Sequence, residues 1–431
     1  MSQLDLIACH ACDALLSKPS LGGKEVAHCP RCKALLYRGN ASNLERILAL
    51  SLAALVLFVI AQSFPILEME VDGIRVQTTL IGALVALWTQ GMRIVAAMVF
   101  CSTLLFPLVE IVALLYLLFP MRAGVLPPAF NQVLRVTQFV RPWGMIEVFV
   151  LGILVTIVKM VTLAQVIPEA ALFAFAAVTL ILAVVLMFDL RTLWDVADQI
   201  RARGALAVPR DMPAMRGARA MRLSTAARAG LANCHVCGDL QELSRPGVQA
   251  HCSRCGIALH LRIPASVERT WAFLIAAAIL YVPANLLPIM HTTSIAGSQD
   301  NTIMSGIVYF WVSGAWPLAF VVFVASVLVP MLKLIALLIL VVSAQCRSSW
   351  RPLERAKLYR LVERIGRWSM LDIFVVTLTV ALVNFGPLAS ITAGPGALAF
   401  GSVVILTMVA SMQFDPRLVW DDVEISEELH D

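Results

Sequence analysis

The chain runs through one pattern twice, and that repeat constrains its fold more than any other feature. Cys29, Cys32, Glu45, Arg46, Pro65, Trp88, Gly91 and Pro107 each find an identical residue 223 positions later, at Cys252, Cys255, Glu268, Arg269, Pro288, Trp311, Gly314 and Pro330. Further along the offset drifts slightly. Trp143, Met145 and Phe149 pair with Trp368, Met370 and Phe374 at 225, and Phe188-Asp189-Leu190-Arg191 with Phe414-Asp415-Pro416-Arg417 at 226. A near-constant offset through cysteines, apolar runs and loops identifies a duplicated module, and such repeats settle architecture before local propensity does.

Composition says what kind of module this is. Hydrophobic residues make up 60% and charged residues 14%, with mean hydropathy +0.84. Those values lie outside the range of soluble domains and predict an all-α polytopic membrane protein. Met1-Ser2-Gln3-Leu4-Asp5 has no basic stretch leading into an apolar one, so no cleaved signal peptide is expected.

Each half opens with a polar segment carrying two CxxC pairs: Cys9 and Cys12 with Cys29 and Cys32, then Cys234 and Cys237 with Cys252 and Cys255. Two such knuckles at this separation aim four thiolates at one tetrahedral ion, as in a zinc ribbon, a small β unit. Segments this short bury little core, so the metal would supply most of their folding energy. The competing readings are disulfides, disfavoured on a reducing face, and a rubredoxin-like iron site, whose spacing is similar. Iron therefore stays open beside zinc at both structural sites. Gly238 and Gly256 follow the second-half knuckles where the first half has Asp13 and Lys33, so the first ribbon is expected to be less regular.

After each ribbon a charged pair, Glu45-Arg46 or Glu268-Arg269, leads into an apolar run of spanning length. Spans are predicted at 47–67, 94–119, 143–166 and 170–188, and again at 271–290, 317–342, 368–390 and 397–414, eight in all. Polar loops follow the first span of each half, with short semi-apolar pieces at 79–89 and 302–313 suited to a membrane interface. The predicted layout is ribbon 1–42, membrane module 43–190, basic linker 191–230, ribbon 231–264, membrane module 265–415 and tail 416–431. Connections 120–142, 191–233 and 343–367 are rich in arginine, whereas the opposite-side loops hold only Arg75 and Arg93. By the positive-inside rule both termini and both ribbons are cytoplasmic. An even number of spans per half gives the halves one orientation, related by a pseudo-two-fold axis along the membrane normal. The linker's arginines suit anionic lipid better than nucleic acid, since the segment is tethered beside the bilayer.

Ionisable residues inside the membrane are functional candidates, because each costs roughly 2.5–3.5 kcal/mol or more at mid-membrane. Lys333 lies mid-span, with Ser326 seven residues earlier on the same helical face. Its first-half counterpart is Glu110, so the two are expected at matched depth, facing each other near the axis. Lys159 sits deep in the third span, where snorkelling to the surface is the competing reading. Asp189 and Asp415 end the fourth spans. A salt bridge is expected for Asp415, whereas Asp189 is the better candidate for a carboxylate that titrates. Glu147 and Asp372 open the third spans, where the helix dipole favours an acid anyway. Thr377, Thr379 and Thr407 suit a polar interior, although threonines often bond their own backbone. Lys333, Ser326, Asp189, Asp372 and Thr407, with Glu110, Glu147 and Lys159 beside them, form the predicted transport network. No Walker-type phosphate loop, GxSxG or HExxH occurs, and His291 stands alone, so no enzyme is read from the chain. Cys101 and Cys346 read as bystanders.

A doubled unit of four-cysteine ribbon plus four spans, with Pro65-Ile66-Leu67 and Pro288-Ile289-Met290 closing the first helices, resembles the paraquat-inducible protein A (PqiA/LetA) family. The resemblance covers residues 5–425. It implies a multi-pass protein of the bacterial inner membrane with tetraspanin-like membrane modules and zinc-binding ribbons. It further implies a homo-oligomeric MCE-family tunnel protein as periplasmic partner, phospholipid as cargo, and coupling through protonation of the polar interior. Two other classes compete: a zinc or redox sensor or scaffold binding a cytosolic partner, and a stand-alone exporter of small amphiphiles. Buried charge speaks against the scaffold, which has no need of it.

Overall fold

The structure, a computed structural model, describes residues 6–18, 25–38, 44–71, 74–160, 165–204, 225–243, 250–294, 297–348, 350–366, 370–382 and 389–421. Residues 205–224 of the basic linker and the tail beyond Asp421 lie outside them.

Each ribbon is two short antiparallel hairpins. The first pairs Leu6–Ala8 with Leu15–Ser17 and Val26–His28 with Leu35–Arg38. The second pairs Leu231–Asn233 with Leu240–Glu242 and Ala250–His251 with Ala258–Leu259.

Among the described residues six helices are long and apolar enough to cross a membrane: Leu44–Ser63, Arg93–Arg122, Phe130–Val158, Ser266–Leu286, Ala319–Gln345 and Pro395–Asp421. Ala170–Leu186 with Arg191–Ala202, bent by 61°, makes a seventh if the pair is taken as one. The remaining place in the repeat is held by Leu371–Leu382, 12 residues followed by 383–388, which are outside the described set.

Packing repeats as the sequence does. In each half the first helix lies along the fourth, Leu44–Ser63 on Ala170–Leu186 and Ser266–Leu286 on Pro395–Gln413, with the second helix against the first. The halves meet through their third helices, Ile146–Met160 and Leu371–Leu382. Phe149 and Phe374, equivalent in the repeat, meet edge-on with ring centroids 5.6 Å apart. Contact between equivalent residues is what a two-fold axis between the halves requires. Gly152 permits the approach, since a Cβ there would lie 3.0 Å from that of Phe374.

Next to this interface the symmetry breaks. Helix Leu80–Thr89 packs on Leu371–Leu382 of the other half, whereas its counterpart Ile303–Val312 packs on Trp316–Phe323 of its own. Leu80, Ala83, Leu84 and Leu87 are accordingly buried, against Ile303 and Ile307 on the counterpart. Thr79 caps the first of these helices, and Thr302 with Ser305 forms a capping box on the second.

Both second helices carry a wide π turn at matched places, Cys101–Leu105 and Val324–Leu328, just ahead of Pro107 and Pro330. A proline lacks the N–H and crowds the preceding turn, and a five-residue turn is one way a helix absorbs this.

Beyond the first helix, at the end remote from the ribbons, each half forms a three-stranded antiparallel sheet where loops were expected. Leu67–Val71 pairs with Ile74–Thr78 and Gln165–Pro168, and Met290–Ser294 pairs with Gly297–Asn301 and Ala389–Ala393. Gln165 and Val166, assigned to the third span by hydropathy, belong to a strand. Pairing with a distant hairpin overrides the apolar run there.

Candidate functional site

The eight ribbon cysteines converge as two buried groups of four, the sulfurs of each within 4.8 Å of one another. Cys9 Sγ lies 3.5 Å from Cys32 Sγ and Cys12 Sγ 3.6 Å from Cys29 Sγ, and the corresponding pairs in the second ribbon lie at 3.5 Å. A tetrahedral ion bound at about 2.3 Å sets sulfurs about 3.8 Å apart, so both groups fit a four-thiolate metal centre. Hydrogen bonding with Cys29 pushes the Cys12 thiol up, and with Cys234 the Cys237 thiol, while Cys29 and Cys252 are held down by Cys12 and Cys234. Four thiolates cannot share so small a space without a cation.

The knuckle turns of the first ribbon match those of the second, contrary to expectation, although its Val26–His28 hairpin shifts register between Ala27 and His28. Asp13 and Lys33 adopt φ of 60° and 59°, matching 74° and 75° at Gly238 and Gly256. The amides of all four return to the first cysteine of their knuckle, at 2.8, 2.9, 2.8 and 2.7 Å. Asp tolerates the left-handed region better than most residues. Asp13 is also anchored there, accepting from Arg262 at 2.8 Å and from the Ala227 amide at 3.1 Å. Arg262 also binds Asp421.

The ribbons are crossed over the helices. The second ribbon seats on the first half, where its cysteines share a core with Leu117, Phe130, Leu134 and Trp194. The first ribbon seats on the second half, its cysteines packed with Leu340, Val341, Ala356, Phe414 and Trp420. The polar contacts repeat too. Arg135 of helix Phe130–Val140 donates to the Cys255 carbonyl, and its equivalent Arg360 of helix Pro352–Ile365 donates to the Cys32 carbonyl at 2.8 Å. Arg254 pairs with Asp195 and Asp198 at 2.6 and 2.7 Å, and Arg31 stacks over Trp420 at 4.8 Å. Ribbon also meets ribbon, through Asn233 donating to the Ala8 carbonyl, and the linker end joins the first ribbon at the Ala14–Thr225 bridge.

Among the helices, two buried charges stand at equivalent places with different surroundings. Glu110 lies beside Arg141, Oε1 to Nε 3.4 Å, while the terminal nitrogens of Arg141 donate to the Phe188 and Val185 carbonyls at 3.1 Å. Lys333 is 4% exposed, and its Nζ has no hydrogen-bond partner among the described residues. The expected meeting of Glu110 with Lys333 is therefore corrected. The halves touch through their third helices, and Glu110 turns to an arginine of its own half.

The other predicted residues are placed as follows. Ser326 is buried within the π turn and donates to the Val322 carbonyl at 2.6 Å. Thr407 and Thr377 donate to Val404 and Ile373, while the buried Thr379 hydroxyl has no hydrogen-bond partner among the described residues. Asp189 is half-buried and accepts the Arg191 amide at 2.9 Å. Asp415 is buried, paired bidentately with Arg417 and accepting the Ile263 amide, a latch on the fourth helix. Glu147 is half-buried in the first turn of Ile146–Met160. The side chains of Lys159 and Asp372 lie outside the described set. None of these bonds joins two members of the predicted network. The contacts of Arg141, Arg135, Arg360 and Arg262 escaped the sequence reading, because an arginine carries no sign of its partner. The repeat offered one clue, the 225-residue offset that makes Arg135 and Arg360 equivalent.

Comparison with known proteins follows the same repeat. A family model described as Paraquat-inducible protein A matches twice, at residues 44–198 and 267–424. The chain is 33% identical over 418 residues to Lipophilic envelope-spanning tunnel protein A of Escherichia coli K12, covering 97% of this chain and 91% of that protein. It is also 33% identical to Intermembrane transport protein PqiA of the same organism, over 96% and 95% of the two chains. A Probable intermembrane transport protein of Haemophilus influenzae is 29% identical over 96% of this chain and 95% of its own. No solved structure matches the chain.

Proposed function

We propose, because this chain belongs to the paraquat-inducible protein A family, that it is an inner-membrane subunit moving phospholipid into a periplasm-spanning MCE-type tunnel. On this reading the ribbons and both termini are cytoplasmic, and the two three-stranded sheets face the periplasm, where a homo-oligomeric tunnel protein docks. Each half contributes four spans, within modules at 43–190 and 265–415, the short helix Leu371–Leu382 included. Both ribbons hold structural zinc.

The observation that supports transport is Lys333, an ammonium buried among apolar helices with no hydrogen-bond partner among the described residues. A scaffold gains nothing from such a group, which costs several kcal/mol (roughly 2.5 or more) in a membrane interior. Cargo or a proton gives it a purpose. Lys333, with Ser326, Asp372 and Thr407 from its own half and Asp189, Glu110, Glu147 and Lys159 from the other, then forms a polar interior that couples protonation to lipid loading. The ribbons' contacts with the helices favour a bracing role over sensing.

The test is in-cell photocrosslinking from positions in 67–93 and 289–316, followed by gentle purification and mass spectrometry. An MCE-type periplasmic protein with co-eluting phospholipid is expected. Crosslinks confined to lipid or absent altogether, with a cytosolic protein held on the ribbons, would replace transport with the sensor reading.

A further inference from the structure

The two halves carry the same helical hairpin and lay it on different ground. Leu80–Thr89 with Arg93–Phe100 in the first half matches Ile303–Val312 with Trp316–Phe323 in the second, helix by helix in length. A threonine, Thr79 or Thr302, caps the start of each. A glycine in the left-handed region, Gly91 at φ 84° or Gly314 at φ 81°, turns each toward its second helix. In both, the two helices pack on each other. Each hairpin is therefore one built piece, and what differs is its seat.

The first hairpin is closed across the halves. Leu80–Thr89 lies on Leu371–Leu382, and Arg93–Phe100 reaches Leu371–Leu382 and Pro395–Gln413. Ala83 is buried, and Met98 sits where a Cβ on Gly401 would lie 3.1 Å from its Cε. In the second hairpin those two places are Gly306 and Val321. A Cβ on Gly306 would meet nothing within 4 Å among the described residues, and Val321 is 42% exposed. The helix equivalent to the first hairpin's seat is Ile146–Met160, and Ile303–Val312 makes no comparable packing with it among the described residues. Leu154 on that helix is 49% exposed, whereas its equivalent Thr379 is buried. Yet Ile303, Gly306, Ile307 and Phe310 keep the i, i+3, i+4, i+7 spacing of the buried face Leu80, Ala83, Leu84 and Leu87. The second half thus carries a docking face, the first half carries its seat, and the two stand apart.

In a bilayer such a separation costs little. Lipid tails are as apolar as leucine, so a helix leaving an apolar seat gives up packing without meeting water. The second hairpin is also bounded by two breaks. It begins where the strand Gly297–Asn301 ends, and it runs into the π turn Val324–Leu328, which already interrupts regular helix. A few residues at such breaks are enough to absorb a hinge rotation.

We propose that the second hairpin is a one-sided gate between the halves. Closed, Ile303–Val312 lies on Ile146–Met160 as Leu80–Thr89 lies on Leu371–Leu382. Open, as in this structure, it leaves an apolar way from the bilayer to Leu154 for an acyl chain. The closure rests on the repeat, and its use by an acyl chain rests on the lipid-transport reading.

Double electron–electron resonance on the full-length protein in phospholipid nanodiscs tests the closure, with spin labels at Leu154→Cys and Val308→Cys. Both positions are exposed, the eight ribbon cysteines are buried, and Cys101→Ser with Cys346→Ser removes the remaining thiols. Two distance populations are expected, the shorter one fitting helix axes about 8–10 Å apart. Gly306→Ala, which restores the residue that the closed hairpin carries, should raise the ratio of shorter to longer about fourfold, the change that burying one methyl group supports. A single long distance in both proteins would overturn the gate. Entry is read with phosphatidylglycerol carrying a diazirine in one acyl chain. It should label Ile146–Met160 in the double-cysteine protein, and most of that labelling should be lost once a thiol crosslinker bridges the two cysteines. Equal labelling before and after bridging would overturn the gate as an entry for acyl chains. Lipid transport would then stand or fall on the crosslinks to an MCE-type protein alone.

Discussion

Asp13 and Lys333 are the residues at which the two halves differ most usefully. Asp13 holds a left-handed turn that glycine holds in the other ribbon, and its carboxylate ties that turn to Arg262. Asp13→Gly separates the two duties. The turn and the metal should survive, while loss of the Arg262 and Ala227 bonds should loosen the ribbon by about 1–3 kcal/mol, the cost of stranding a buried charged partner. Metal content and hydrogen exchange across residues 6–18 check both halves of that statement, and loss of metal would mean the carboxylate shapes the turn itself. Lys333→Met should act in the opposite sense, raising the melting temperature because a buried ammonium with no partner among the described residues is replaced by an apolar chain of similar length. The gain expected is again about 1–3 kcal/mol, accompanied by loss of transport. A fall in melting temperature would mean that Lys333 is paired. The cysteines were legible in sequence because four thiolates at CxxC spacing have few other uses. Glu110 was legible as a charge among apolar helices, and it is buried there, but its partner was not legible. Arg141 arrives from a different helix, and nothing in the intervening residues records the approach.

At the scale of elements, helices were read more faithfully than strands. Apolar runs of spanning length have few other solutions, whereas each sheet needs a strand from beyond the third helix, a pairing that no local pattern announces. Those sheets bring the start of the fourth helix against the end of the first. Gly394 and Gly396 donate to the Ile289 and Pro288 carbonyls at 2.6 and 2.9 Å, and a Cβ on Gly396 would lie 2.6 Å from the Leu287 oxygen. The repeat sets Glu169 and Ala171 at those places in the first half, and the corresponding bonds stretch to 3.2 and 3.4 Å. The first half has thus accommodated the side chains that the second excludes. Gly396→Ala should destabilise the protein by about 1–3 kcal/mol, as overpacking against backbone does, whereas Ala171→Gly should cost only the smaller helix-propensity difference, about 1 kcal/mol. Paired thermal melts decide this, and equal losses would mean that the two junctions pack alike.

At the scale of the whole molecule the ribbons cross, and this could not be read from the chain order. Each ribbon precedes one set of helices and seats on the other, with Arg135 and Arg360 making the same carbonyl contact on opposite sides. The crossing follows from the two-fold arrangement, which brings the helix pairs that carry the ribbon seats side by side. Its consequence is that the third-helix interface is not alone in joining the halves. Two ribbons strap them together at one end, while toward the other end Leu80–Thr89 and Arg93–Phe100 of the first half reach helices of the second. A metal held by one ribbon would therefore act beyond it, because a ribbon of this size without metal loses most of its folding energy and with it the shape of its seat. Cys12→Ser should raise hydrogen exchange in helix Pro352–Ile365, on which the first ribbon rests, and leave Phe130–Val140 protected. Cys237→Ser should do the reverse, and chelation of the wild type should release both helices. If each substitution instead loosened the helix nearest its own ribbon in sequence, the straps would run within the halves and the crossing would be wrong. An outcome as crossed as the contacts would make each ribbon a brace on the half it does not precede, so that loss of either metal frees the halves to shift about the Phe149–Phe374 contact.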